Sequence, residues 1–425
     1  MSRTLIVVAC AGLVALTGVT LTLAQRLEDT DAIPLNHKAI QYAELPADDP
    51  VARLESQIEK GEVKLEFQRN RWGYLPRLLN QLGVNTDSQV LVFSKTSFQA
   101  ERVSPARPRA IYFNDNVSVG FVQGGEALEL ASLDPKQGVI FYTLDARNSA
   151  APNVSRRDDC LNCHRGPQTL GVPGRMISSL YPRGMRGSLH AVSFLTDHRT
   201  LLEDRWGGWY VTGTLGAQRH MGNAIPSALQ PDAIDPRDFQ SLTSLDEKFD
   251  TSAYLSPTSD VVALMTLEHQ TRMTNLITRI GWEFRIARED RKLEASRGQL
   301  DSAVEEMVTY MLFADEAPIR EPIEGVSTFT KTFPQRGPRD KQGRSLRDFD
   351  LQKRLFRYPL SYMVYSEAFE GMPAIAQERV YQRLYDVLTG RDTDRKFARL
   401  SAEDRRAVLE ILRDTKPNLP AYWKR

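Results

Sequence analysis

Cysteine is scarce, three in 425 residues, and histidine is hardly commoner at six. A chain of this length buries cores large enough to need no disulfide staples, so nothing in the fold has to rest on thiols. Net charge is equally lacking. The 55 Lys+Arg almost cancel the 54 Asp+Glu, which excludes a global electrostatic grip on nucleic acid. Beyond the first two dozen residues no apolar run is long enough to span a bilayer, and no internal repeat exists, so multi-span membrane proteins and solenoids are excluded too. Hydrophobic residues at 41% and charged residues at 26% leave an ordinary globular composition, enough for about two to three domains.

What is present begins at the N terminus. Ser2-Arg3 supplies a positive n-region, and Leu5 to Leu23 is an uncharged, largely apolar run ending at Thr22-Leu23-Ala24. That pattern marks residues 1–24 as an export signal, or as a single N-terminal membrane anchor if it is not cleaved. Cys10 lies inside the run as a small hydrophobe. A cleaved chain therefore keeps only Cys160 and Cys163.

Residues 25–50 are polar and proline-bearing, which suits a tether. Within 51–145, Val51 to Leu82 has helical spacing, and then the period changes. Val90–Phe93, Ala110–Phe113, Val117–Val122, Ala127–Leu133 and Val139–Leu144 are β-branched and aromatic runs separated by Asn, Asp, Pro and Gly, a spacing that predicts an antiparallel meander. Residues 146–258 form a loop-rich region containing Cys160, Cys163 and the glycine-aromatic stretch Trp206 to Gly216. From 259 to 425 helical patterns dominate: Val261–Trp282, Ser302–Phe313, Ala374–Leu388 and Ser401–Arg413, the last opened by Ser401 with Asp404 at capping-box spacing. The basic stretch Arg336 to Asp348 reads as a solvated loop, with docking of an acidic partner as the alternative. The expected fold class is α+β, a β-meander unit followed by a mainly helical part.

The chemistry concentrates in Cys160-Leu161-Asn162-Cys163-His164. Thiols at i and i+3 lie on one side of a helical turn, and the histidine at i+4 projects the same way. This is the pattern for covalent attachment of a haem, both sulfurs adding to its vinyl groups and the imidazole ligating iron. A structural zinc site needs four ligands, and no second CxxC or HxxxH exists. A thioredoxin-type dithiol would open a long helix, which Gly166-Pro167 and the Gly171 to Gly174 turn block. A disulfide here would close a tiny loop and stabilise little.

In these three residues the chain resembles c-type cytochromes. Export agrees with that, because bacterial thioether attachment takes place outside the cytoplasm. More broadly, "TLGVPG", "FLTDHR", "WGGWYVTG", "RHMGN", "LEHQTRM" and "YPLSYMVYSEAF" look like segments of large exported bacterial proteins carrying one CxxCH, a resemblance over most of residues 90 to 425 that implies no particular reaction.

One covalent haem c raises the question of what faces the iron opposite His164, since a filled site favours electron transfer and an open one admits substrate. His269 lies in an apolar stripe with Val262, Met265, Met273, Leu276 and Ile280 and is the expected distal ligand; a packed core histidine is the bland alternative. His220 is the alternative ligand. His190 and His198 trail, the latter read as a loop residue paired to a carboxylate. Trp206, Trp209 and Tyr210 are candidate pocket walls, against ordinary core packing, and Arg157, Arg165 and Arg175 are candidate propionate partners, against surface ion pairs. The expected function is single-electron transfer in a periplasmic pathway, with another cytochrome as redox partner. The alternative is a haem enzyme, peroxidase-like or acting on a small molecule, or a haem-based sensor.

Overall fold

The computed structural model describes residues 32–147, 151–181, 192–225 and 241–424. The expected signal, Cys10 and His190 lie outside the described residues. The chain is α+β, with an antiparallel sheet in the N-terminal half and a mainly helical C-terminal half.

Two helices, α1 (Pro50–Glu59) and α2 (Leu75–Gln81), precede the strands β1 (Val90–Val92), β2 (Arg109–Phe113), β3 (Val117–Phe121), β4 (Ala127–Asp134), β5 (Gly138–Asp145) and β6 (Val154–Arg156). The turns form for local reasons. Asn114 Oδ1 accepts from the amides of Asn116 and Val117, Asp134 Oδ1 accepts from Lys136 and Gln137, and Gly138 takes the positive φ of 82° that closes the β4–β5 turn. A hairpin of β7 (Ser178–Tyr181) and β8 (Val192–Leu195) stands apart, while β9 (Trp209–Tyr210) joins the far edge of β1. The seven-stranded order is β6-β5-β4-β3-β2-β1-β9. The loop-rich region thus contributes a strand to the meander's own sheet.

Alternation sorts the strands into two buried faces. Tyr142, Leu130, Val119 and Tyr112 share one row, and their face is covered by Leu54, Leu75, Leu78 and Leu79 of α1 and α2. On the opposite face Phe113, Leu133 and Val139 lie under α4 (Val261–Glu289), a helix about 43 Å long at 1.5 Å per residue. Asp260 caps α4, one carboxylate oxygen accepting from Val262 and Ala263 and the other from Val326 and Ser327. The expected stripe is buried, but so are Glu268, Gln270, Thr274 and Asn275. Helix α4 is therefore enclosed over most of its surface, with Arg272, Arg279 and Glu283 half-buried along one stripe and Arg288 and Glu289 exposed at its end.

Around it pack α5 (Arg297–Met311), α6 (Phe329–Thr332), α7 (Glu367–Glu370) and α8 (Ala374–Leu388), and α9 (Ala402–Thr415) packs on α8. Ser401 and Asp404 form the expected capping box. Ser302 does not open α5: its hydroxyl bonds back to the Gly298 carbonyl at 2.9 Å inside a helix that begins five residues earlier, at Arg297.

Two expectations need correcting. From Ile33 the presumed tether lies against the body: Ile33 N donates to Gly171 O at 3.0 Å, Tyr42 Oη donates to Val139 O at 2.8 Å, and buried Asp49 caps α1 while accepting from Tyr142 Oη. The basic stretch is not wholly solvated either. Ser345, Leu346 and Arg347 are buried, and the Arg347 guanidinium pairs with Asp115 and lies 4.3 Å from the centre of the Tyr362 ring. Among the described residues no helix is long and apolar enough to cross a membrane.

Candidate haem-attachment site

After β6 the chain is tied back to the sheet by Arg157 N, which donates to Phe141 O at 2.8 Å. A 3₁₀ turn at Asp158–Cys160 then runs into the single helical turn α3 (Leu161–His164). Gly166 and Pro167 stop it there. Both sulfurs are free thiols, Cys160 half-buried and Cys163 exposed. Burial and the neighbouring Asp159 carboxylate push the Cys160 thiol up to about 11, so it is protonated at neutral pH and lacks the acidity of a redox-active dithiol.

His164 is held by its neighbours. Its Nδ1–H donates to Gly174 O at 3.0 Å, and Gly174 N returns a bond to His164 O at 2.9 Å. A carbonyl only accepts, so Nδ1 carries the proton and Nε2 keeps its lone pair. Burial depresses the imidazolium further, leaving the neutral form that ligates metals. Gly174 is fixed in turn by the loop Gly166 to Pro173, where Leu170 and Gly171 take positive φ and Thr169 Oγ1 donates to Val172 O at 2.7 Å. A side chain at 174 has no room, since its Cβ would lie 2.3 Å from Asn275 Oδ1.

Beside the motif lies the face of the sheet that α4 covers. Phe141, Ala131, Ser118 and Phe113 form one row across β5, β4, β3 and β2; Thr143, Glu129, Gly120 and Ile111 form the next. The His164 ring sits 4.7 Å from that of Phe141. Arg109 and Glu129 pair at 2.7 Å from strands on either side of β3, and Gly120 lies between them, where a Cβ would meet the Glu129 side chain at 3.2 Å. The charges of this pair reach His164, and that of Glu129 reaches Cys160. Ile111, Ala131, Arg109 and Glu129 are only half-buried, unlike Phe113 and Leu133.

The expected ligands and walls are placed differently. His269 is fully buried with both nitrogens engaged, Nδ1 with His198 Nδ1 at 2.8 Å and Nε2 with Ser361 Oγ at 2.7 Å. Its ring neighbours are His198, Tyr310, Phe313, Phe356 and Tyr362. A distal ligand needs a free lone pair facing the iron, and His269 offers none. His198, expected beside a carboxylate, is instead buried against His269, while Asp197 pairs with Arg199. His220 is 1% exposed, edge-on to Trp206, with neither nitrogen hydrogen-bonded, and burial pushes it down to about 4. Trp206 and Trp209 are buried in the large core, Trp206 edge-on to His220 and Trp209 Nε1 donating to Ser178 O. Tyr210 faces the opposite side, against Phe93 and Phe249.

Among the arginines, Arg157 makes the surface pair with Asp159. Arg165 keeps a buried Nε without a partner next to His164. Arg175 is buried against Ser118.

Sequence reasoning missed Phe141, Gly174, Arg109 and Glu129. Strand alternation combined with the "GVPG" turn was the available signal for the first two; the Arg109–Glu129 pair depends on register, which sequence spacing alone does not fix. The donor set suits a covalent haem: two reduced thiols three residues apart, a neutral imidazole with a free Nε2, and a carbonyl orienting it. No cluster of three or more His, Cys, Asp or Glu suited to a metal ion occurs among the described residues. In comparisons with known proteins, the chain matches no family model, no curated protein and no solved structure.

Proposed function

We propose that this is an exported c-type haem protein that passes single electrons in a periplasmic pathway, with Cys160 and Cys163 as the thioether sites and His164 as the axial ligand. The observation that carries the reading is the His164–Gly174 clamp, which fixes the tautomer and aims an unencumbered Nε2 away from the loop. Bound haem would supply a one-electron iron couple. The chain's own residues hold it: the helical turn presents the three attachment groups, Phe141 supports the imidazole, and Arg165 stands ready for a propionate. Exposed Cys163 puts the attached edge at the surface, where a partner cytochrome can approach.

A second reading, a haem enzyme or ligand sensor, is favoured by the commitment of both His269 nitrogens elsewhere, which removes the internal ligand expected from the sequence. Mass spectrometry of the exported protein tests attachment, with one haem retained after denaturation and acidic solvent extraction as the expected result; colour lost to the solvent refutes it. Adding carbon monoxide to the reduced protein separates the readings. An unchanged spectrum supports the carrier, and a shifted Soret band supports the enzyme or sensor.

A further inference from the structure

Among the described residues Arg175 is a buried charge with no carboxylate paired to it. Its side chain is 6% exposed, between β3 and α4, and its guanidinium donates to two neutral acceptors, Ser118 Oγ at 2.6 Å and Thr274 Oγ1 at 3.4 Å. Its Nε is buried with no partner. The acidic groups whose charge reaches it are Tyr362 and Asp115. Tyr362 keeps its proton, burial having raised it far above the usual phenol range, and donates to Gln270 Oε1 at 2.8 Å. Asp115 is already paired with the equally buried Arg347. One carboxylate thus serves two guanidinium groups, and burial of an unpaired ion is among the costliest arrangements in a protein interior.

The place of this charge is set by strand register. Ser118, under Arg175, and Phe141, under His164, stand in the same row with only Ala131 between them. Two strand spacings separate them, about 10 Å. Between the imidazole and the guanidinium β4 carries the small Ala131 in this row and Glu129, already tied to Arg109, in the next, with Gly120 beside Glu129 on β3. We infer that Arg175 binds a carboxylate carried on the cofactor itself, a haem propionate, which supplies the counter-charge that the described residues do not. The inference rests on the proposed haem attachment. A cation held there favours the reduced iron, because the incoming electron is negative.

The test has two stages. Covalent haem per chain is first counted on denatured protein from its pyridine haemochrome. Spectroelectrochemical titration of wild type and Arg175→Gln then follows at fixed ionic strength. The expected result is full haem in both, with the reduced-to-oxidised ratio at a given applied potential about tenfold lower in the variant, 59 mV for a one-electron couple. A haem-loaded R175Q with the wild-type potential overturns the inference and leaves attachment standing; a wild type without haem overturns the attachment reading itself. A wild-type potential that moves with added inorganic phosphate, in a way R175Q does not, assigns the site to a free oxyanion and overturns the propionate. Should R175Q fail to fold, Arg175→Lys carries the test: its propionate bending mode in resonance Raman shifts from that of wild type, and an unshifted mode overturns the inference.

Discussion

Replacing Gly174 by alanine probes the clamp with little other change. The new Cβ would lie 2.3 Å from Asn275 Oδ1, 2.8 Å from its Cγ and 3.1 Å from Thr169 Cβ. Asn275 is 2% exposed on an enclosed helix, and swinging it aside breaks its Nδ2 bond to Arg175 O. Losing that bond costs about 1 kcal/mol. Forcing a methyl into packed surroundings costs about 1–3 kcal/mol more, so G174A should lose about 2–4 kcal/mol in urea unfolding at unchanged slope. The cause is checked by a double-mutant cycle. In an Asn275→Ala background the obstructing oxygen is gone, and G174A should then cost less than about 1 kcal/mol. A G174A protein as stable as wild type, or one equally destabilised in both backgrounds, would refute the steric account of why this position is glycine.

The Arg205–Glu268 pair, at 3.2 Å with both side chains buried, should cost about 3–5 kcal/mol when either partner alone is made apolar, and much less than the summed single effects when Arg205→Met and Glu268→Leu are combined; additive losses in urea melts would contradict this. His220, pushed down to about 4 by burial, binds its proton later than the unfolded chain does at about 6.5 as pH falls. The stability of the neutral form is therefore complete above pH 6.5 and declines toward pH 4 by about 1.4 kcal/mol per pH unit. His220→Leu removes one proton from that slope and, giving up no hydrogen bond, should change stability at pH 7.5 by less than about 1 kcal/mol; an unchanged slope in a pH series would refute the assignment. His269→Ala leaves a cavity and strands Ser361 and His198, an expected loss of about 3 kcal/mol, while with the proposed haem attached the ferric spin state should stay as in wild type; a low-spin to high-spin change would restore His269 as a ligand.

The meander was legible in the sequence because its period-two runs are bounded by turn residues with their own chemistry: Asn114 and Asp134 accept the amides that close the turns on either side of them. Helix α9 was legible through its capping box, and α8 through a strong apolar periodicity. What escaped notice lacked local signal. Strand β9 has two residues and exists because β1 offers it an edge. Residues 33–49 look polar, yet Ile40 and Tyr42 supply enough apolar surface to fix them on the sheet. Within the candidate site the grouping of Cys160, Cys163 and His164 about one helical turn was readable from spacing. His269 misled because an interior position on a helix says that a side chain is buried without saying what its nitrogens meet, and that partner, His198, lies 71 residues away in sequence.

The bond from Ile33 to Gly171 has a topographic consequence. Gly171 belongs to the loop that orients His164, only seven positions downstream of it, so Ile33 is held alongside the redox centre proposed above. Contacts made by Ile33 are thereby tied to the loop that sets the His164 imidazole, so a strain placed on this early segment would be felt first at the proposed axial ligand.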